Sequence, residues 1–178
     1  MPARNPVAPD VRLRPWGPDD LPLLERLLGD PAMTVHLGGP EPPLKLRRLH
    51  QEYLALRPPM GRIFAILAGE ADDGDPGLAV GSAGYWLSDR AGEGAWELGC
   101  SVLPEFQGRG YGTQALLLAP EFARRDGPGR TIHAYPAVDN GPSNAMCRRA
   151  GFRLDREIEI EIRPGHPMCV NDWVLDAV

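Results

Sequence analysis

The chain has 178 residues, of which 43% are hydrophobic and 24% are charged, and its formal net charge is −5. This length favours one globular domain, and the longest apolar runs are far too short to cross a bilayer. The acidic balance excludes a broad basic surface, so neither nucleic acid nor a membrane is expected as a partner.

The cysteines and histidines indicate neither a disulfide framework nor a metal site. Cys100, Cys147 and Cys169 are odd in number and lack metal-ligand spacing, and the four histidines lack it as well. This pattern favours a reducing, cytoplasmic environment.

The first half of the chain combines short strands with leucine-rich helices. After a flexible tail at residues 1–9, a domain over 10–178 is expected to begin with the strand VRLRPW. PDDLPLLERLLGD predicts an amphipathic helix capped by Asp19 or Asp20 and ended by Gly29. PLKLRRLHQEYLALRP predicts a second helix, closed by Pro58. RIFAILAGE and LAVGSAGYWLSD predict a strand hairpin around the turn ADDGDPG.

The second half returns to strands. GAWELGCSVLP predicts a strand, and residues 110–125 have the leucine and alanine content of a helix, which Pro120 is expected to kink or shorten. RTIHAYPAV predicts a strand, on which His133 is expected to pack. NGPSNAMCRRAGF predicts a short helix capped by Asn140 and ended by Gly151. REIEIEIR and CVNDWVLDA predict the last strands. The order predicts a single α/β (α+β) domain with a mixed central sheet of about six or seven strands, flanked by helices.

The stretch LPEFQGRGYG joins a strand to a helix and carries three glycines at alternate positions. Such a loop presents free N–H groups and the positive end of a helix dipole to an anion. A Walker loop requires four residues between its glycines and then a lysine, which this stretch lacks. The Rossmann spacing G-x-G-x-x-G also differs from the G-x-G-x-G found here. From these residues alone, an anion site and a bare turn both remain open.

Residues 94–152 resemble the Gcn5-related N-acetyltransferase (GNAT) family in two linked motifs. The first, Q/R-x-x-G-x-G/A, is present as QGRGYG from Gln107 to Gly112. The second, an Asn with a Ser three residues later and a helix ending in Gly-Phe, is present as Asn140, Ser143 and Gly151-Phe152. Weaker similarity extends from VRLRPW to NDWVLDA and is closest to the branch that includes the ribosomal-protein N-terminal acetyltransferases.

The resemblance implies an N-acetyltransferase with acetyl-CoA as cosubstrate and no metal. The acceptor would be a primary amine, on a small molecule or a protein N-terminus, which attacks directly in a ternary complex. The resemblance also implies which residues contact the coenzyme, the first three mainly through their backbone: Cys100, Ser101, Val102, Gln107, Gly108, Arg109, Gly110, Tyr111, Gly112, Thr113 and Asn140.

Two catalytic residues are implied. Glu97 would accept the proton of the amine, and Ser143 would donate to the leaving thiolate, because CRRAGFRLDREIEIEI lacks the tyrosine that many family members use there. An ion-paired Glu97 and a capping Ser143 remain open. The acceptor pocket is expected around residues 34–43, which include His36, and 163–168. The alternative function left open is a non-catalytic acyl-CoA-binding or partner-binding domain. The oligomeric state is also open, and a homodimer would fit the family.

Overall fold

The structure is a computed structural model that describes residues 9–69, 77–90, 92 and 94–177. Most of the expected tail, residues 1–8, and nearly all of the turn ADDGDPG lie outside the described residues. The strands and helices follow in the predicted order: β1 (Val11–Pro15), α1 (Leu21–Leu28), α2 (Pro43–Ala55), β2 (Gly61–Ala68), β3 (Leu78–Ser88), β4 (Ala95–Val102), α3 (Tyr111–Asp126), β5 (Ile132–Ala134), α4 (Gly141–Arg149), β6 (Arg153–Arg163) and β7 (His166–Leu175).

The seven strands form one mixed sheet in the order β1-β2-β3-β4-β5-β7-β6. Every neighbouring pair is antiparallel except β4 with β5. That parallel pair has only two register partners, Trp96 with Ile132 and Glu97 with His133. The predicted single domain with a six- or seven-stranded mixed sheet is confirmed.

Alternation along the strands assigns each face of the sheet to one helix pair. On β2, Ile63, Ala65 and Leu67 pack in the cluster that contains the leucines of α1 and α2. Phe64, between them, packs in a second cluster with residues of α3 and α4. Because successive side chains of a strand point to opposite faces, each strand residue can be assigned to the α1/α2 face or the α3/α4 face.

The structure differs from one of the two alternatives predicted at Pro120, the shortening of the helix, and from the predicted length of β5. Pro120 does not shorten α3, which continues to Asp126. The neighbouring Ala119 and Ala123 are fully buried against the sheet, and we infer that this packing offsets the lost backbone hydrogen bond. The strand expected over RTIHAYPAV is only Ile132–Ala134, with one isolated bridge at Ala137.

The expected helix ends are largely found. Gly29 follows the last residue of α1, and Gly151 has the left-handed φ of 89°. Asp20 occupies the N-cap position of α1 without a capping bond, because its carboxylate accepts from Gly17 N–H at 2.7 Å and from Arg14. α2 ends at Ala55, earlier than the predicted closure at Pro58.

Candidate active site

The loop between β4 and α3 depends on glycines for two different reasons. Gly108 and Gly110 have φ values of 73° and 92°, in the left-handed region where a side chain is strained. Gly112 allows close packing instead, because a Cβ there would lie 2.3 Å from the Met146 sulfur on α4. The glycines therefore both shape the loop and bring α3 against α4.

The first turn of α3 presents unpaired backbone donors. Gln114 is the first residue to donate back along this helix, with its N–H 3.0 Å from Gly110 O. The N–H groups of residues 111–113 precede that bond and have no partner within the helix. Together with the positive end of the helix dipole, they form a donor set suited to phosphate oxygens.

The side chains of the loop stabilise its shape. The Gln107 amide donates to Val102 O at 2.9 Å, which fastens the loop to the end of β4. The Arg109 guanidinium lies 5.7 Å from the centroid of the Phe106 ring and is exposed. Gln107 therefore holds the loop in position, while Arg109 adds a positive charge at its surface.

A gap opens in the sheet beside this loop. β4 continues to Val102 in register with β3, whereas its pairing with β5 ends at Glu97. Within the described residues, the other edge of β4 over residues 98–102 pairs with no strand. Backbone N–H and C=O groups on a free strand edge can pair with an extended ligand, as an added strand would.

The three predicted β4 residues face in different directions. Cys100 and Val102 pack on the α3 side of the sheet, so Ser101 faces the α1/α2 side. Burial raises the pKa of the Cys100 thiol to about 12. Because the thiol stays protonated, Cys100 is not a nucleophile at neutral pH. This segment therefore offers a coenzyme its backbone groups, while the Ser101 side chain faces the α1/α2 side.

Glu97 lies at the last position where β4 pairs with β5, and its side chain is on the α1/α2 face. Its carboxylate accepts a hydrogen bond from the Ser88 hydroxyl at 2.7 Å and lies 3.7 Å from the Arg90 guanidinium. The side chain is 14% exposed. The carboxylate is therefore held in place by two neighbours and still reaches solvent.

Polar side chains from β5 and β7 continue this cluster. His133, the register partner of Glu97, has its Nδ1 2.7 Å from the Asp172 carboxylate and its Nε2 3.0 Å from the Thr131 hydroxyl. The Tyr135 ring stacks on His133 with centroids 6.0 Å apart, and the Arg90 guanidinium lies over the same ring, 5.9 Å from its centroid. His133 packs as predicted, but its partner is a carboxylate that is only 1% exposed.

The start of α4 is fixed by two asparagines. Asn140 caps the helix, since its side-chain oxygen accepts from Ser143 N–H at 3.2 Å. The buried Asn144 donates to two carbonyls of the preceding loop and accepts from two side chains of β7. Ser143 is half-buried, and its hydroxyl makes no hydrogen bond within the described residues. The cap is therefore Asn140, which leaves the Ser143 hydroxyl available.

A cavity of about 250 Å³ lies between the two segments expected to hold the acceptor. Arg90 lines it and also contacts Glu97, so the cavity adjoins the polar cluster. His36 lies 3.2 Å from Asp139, which connects the α1–α2 loop to the segment before α4. The residues that line the cavity are Leu28, Thr34, Leu37, Gly39, Glu41, Arg90, Ile162 and Arg163.

The comparisons with known proteins agree with this arrangement. A family model described as an acetyltransferase (GNAT) domain matches residues 10–153. The chain belongs to this family. No curated protein matches the sequence of this acetyltransferase significantly.

Solved acetyltransferases share the fold at low sequence identity. A spermidine N-acetyltransferase from Vibrio cholerae, in complex with CoA and spermine, has a TM-score of 0.74 and 17% identity over 94% of this chain and 95% of its own. A Salmonella typhimurium enzyme that modifies the N-terminal serine of a 50S ribosomal subunit protein has a TM-score of 0.71 and 24% identity, with the same coverage. A GNAT-family acetyltransferase from Bacillus anthracis has a TM-score of 0.76 and 13% identity over 96% of both chains.

The family prediction is confirmed, and ribosomal-protein acetyltransferases are among the similar structures. Glu97 and Ser143 share no contact in the described structure, because Glu97 lies on the α1/α2 face and α4 packs on the other. Sequence reasoning missed the contribution of Arg90, Tyr135 and Asn144. Alternation along TIHAYP would have placed Tyr135 on the same face as His133.

Proposed function

We propose that this acetyltransferase transfers the acetyl group of acetyl-CoA to a primary amine by direct attack in a ternary complex. The gap between β4 and β5, which lies between the glycine loop and Glu97, carries this proposal. The loop offers donors for phosphates, the free edge of β4 offers pairing for an extended chain, and a carboxylate stands where the two strands separate.

The loop residues 107–113 would hold the pyrophosphate, chiefly through the unpaired N–H groups at the start of α3. The free edge of β4 at Cys100 and Val102 would pair with the pantetheine arm, and Asn140 would contribute at the start of α4. Ser101, between them, directs its main-chain N–H and C=O towards β3. Acetyl-CoA supplies an activated acetyl group when bound. A backbone N–H on that β4 edge would stabilise the negative charge that develops on the carbonyl oxygen.

Glu97 would take a proton from the acceptor, directly or through water. An alkylamine has a pKa near 10 and a peptide α-amine a pKa of about 8, so either is mostly protonated at neutral pH and must lose a proton before it can attack. The hydrogen bond from Ser88 and the ion pair with Arg90 position the carboxylate, and its partial exposure allows the proton to pass to solvent. Ser143 remains a candidate donor to the leaving group.

The acceptor cavity favours an acceptor with a single amine. Glu41 lies 2.9 Å from both Arg163 and Lys45, so its charge is already compensated. Arg90 adds a further positive charge to the wall. A polycation would meet repulsion there, whereas a peptide N-terminus would bring one amine and an uncharged chain to the apolar lining.

Thiol release from acetyl-CoA tests the proposal with three acceptors: a serine-terminated peptide, spermidine and an aminoglycoside. We expect release with the peptide in preference to spermidine. Glu97→Gln should lower kcat by about 100-fold and remove the acid limb of the pH–rate profile, because the amide still accepts from Ser88 but cannot take a proton. Glu121→Gln, on the exposed face of α3, is the matched control and should behave as wild type.

The outcomes separate the alternatives. An unchanged pH profile in Glu97→Gln contradicts its role as the base while leaving the acetyltransferase activity intact. Tight coenzyme binding without thiol release for any acceptor would favour a non-catalytic acyl-CoA-binding domain.

A further inference from the structure

The Tyr135 hydroxyl is buried without a hydrogen-bond partner among the residues that the structure describes. Buried hydroxyl groups are usually paired, and an unpaired one costs about 1–3 kcal/mol. Two other side-chain atoms share this condition, Nε1 of Trp96 and Nε of Arg124. Trp96 faces the α3/α4 cluster and Arg124 belongs to α3, so only the Tyr135 hydroxyl lies on the face that holds the candidate base.

Tyr135 stands at the mouth of the gap in the sheet. It directly follows Ala134, the last residue of β5, at the point where the chain has separated from β4. Its ring stacks on the His133 imidazole, and the Arg90 guanidinium also lies over the ring, 5.9 Å from its centroid. Because His133 is itself fixed by Asp172 and Thr131, the position of the phenol is set by packing and does not depend on a bond to its hydroxyl.

The surroundings keep this phenol protonated. Burial, followed by the carboxylates of Asp172 and Glu97, raises the pKa of Tyr135 above its ordinary value, although Arg90 and Arg156 act in the opposite direction. A phenol that does not ionise near neutrality can donate a hydrogen bond but cannot act as a base. An unpaired, pre-positioned donor is suited to negative charge that develops only during a reaction.

We propose that the Tyr135 hydroxyl donates a hydrogen bond to the sulfur that leaves the acetyl group. This inference rests on the proposed function. As the amine nitrogen bonds to the acetyl carbon, the carbon–sulfur bond breaks and its electron pair remains on sulfur. The amine proton passes to Glu97 and from there through solvent to the thiolate, so Tyr135 keeps its own proton throughout.

The two strands at the gap then have separate tasks. Glu97 on β4 serves the incoming nitrogen, and Tyr135 after β5 serves the departing sulfur. This assignment supplies a tyrosine donor that the segment after α4 does not contain. Ser143 lies on α4, on the opposite face of the sheet, and its contribution is compared with that of Tyr135 by substitution.

The test compares wild type with Tyr135→Phe and, as a matched control, Tyr85→Phe. The Tyr85 hydroxyl also lies in the sheet, but it donates to Asp126, away from the gap. With acetyl-CoA, Tyr135→Phe should lower kcat by about 100-fold without changing the KM for the acceptor. With an acetyl aryl thioester, whose thiolate is a weaker base, the loss should shrink, because the leaving sulfur then needs less stabilisation.

Stability gives a readout that does not depend on activity. Tyr135→Phe removes a hydroxyl without a partner, so the melting temperature of the free protein should stay the same or rise. Tyr85→Phe breaks a bond to Asp126, so its melting temperature should fall while kcat is unchanged. The proposal would be overturned if Tyr135→Phe kept full activity while Ser143→Ala lost more kcat with acetyl-CoA than with the aryl thioester. That result would assign the role to Ser143.

Three further results would overturn it. The first is a wild-type kcat in Tyr135→Phe with acetyl-CoA, and the second is a loss of kcat in this variant that is equal with both thioesters. The third is a raised KM for the acceptor with unchanged kcat, which would mean that the hydroxyl binds the amine. A lower melting temperature in Tyr135→Phe would contradict the unpaired hydroxyl. If wild type releases no thiol with any acceptor, the proposed function itself fails, and the two failures are distinguishable.

Discussion

Replacement of Asn144 by alanine should destabilise the protein by about 3 kcal/mol, because its side chain connects α4 to the sheet. The amide donates to Ala137 O and Asn140 O, both at 2.8 Å. Its oxygen accepts from the Asn171 amide at 2.8 Å and from the Trp173 indole N–H at 2.7 Å. These four bonds do not contribute equally once the side chain is removed.

The backbone carbonyls keep other partners. Ala137 O still accepts from Asn140 N–H and Asn140 O from the N–H of residue 144, each at 3.0 Å, so the two lost donations cost about 1 kcal/mol together. The indole N–H of Trp173 is different, because that residue is 3% exposed. Leaving it unpaired costs about 2 kcal/mol, and the Asn171 amide can turn towards solvent.

Urea denaturation measures this loss directly, and we expect a lower midpoint with an unchanged slope. The melting temperature should fall by about 6–12 °C for a domain of this size. Asn171→Ala is the matched control: it removes one bond to the same oxygen and leaves Trp173 paired, so about 1 kcal/mol should be lost. A loss in Asn144→Ala no larger than in Asn171→Ala would refute the reasoning.

Two further predictions concern Asp126 and the cysteines. Hydrogen bonding from Arg62 holds the pKa of Asp126 below its ordinary value, so its stabilising effect is complete above the unfolded-state pKa of about 4 and is lost as pH falls through the lower folded value. The stability difference between wild type and Asp126→Asn should therefore be constant near neutrality and shrink in acid, and a difference independent of pH would contradict this. Cys169 is exposed, whereas burial raises the pKa of both Cys100 and Cys147 to about 12. A thiol reagent should modify one cysteine rapidly in the folded protein, and Cys169→Ser should abolish that phase; a fast phase that persists would contradict the assignment.

Periodicity and turn chemistry were sufficient to predict the order of helices and strands. REIEIEIR was correctly predicted as a strand, and in β6 its glutamates are exposed while its isoleucines are half-buried, as period-two alternation requires. The helix ends at Gly29 and Gly151 followed from local backbone preferences. These features depend on residues close together in the chain, which is why they were predictable.

The features that require distant contacts were not predictable in the same way. β7 lies between β5 and β6, which chain order does not specify. The bonds of Asn144 to Trp173, and the position of Arg90 beside Glu97, join segments far apart in sequence. β5 ends early because the chain separates from β4 after Ala134. The local pattern of RTIHAYPAV cannot show this separation, so it predicted a longer strand. The roles proposed for Glu97, Ser143 and the coenzyme-binding residues remain predictions.

The free edge of β4 has a consequence for how sequence can change around the coenzyme. In the proposed complex, residues 98–102 recognise the pantetheine arm through main-chain atoms, which every amino acid except proline supplies in full. Side chains there are then constrained by packing on α3 or by the acceptor, and not by the coenzyme itself. A designer could vary Ser101 to alter the choice of amine while leaving coenzyme affinity intact, whereas Gly108 and Gly110 offer no such freedom.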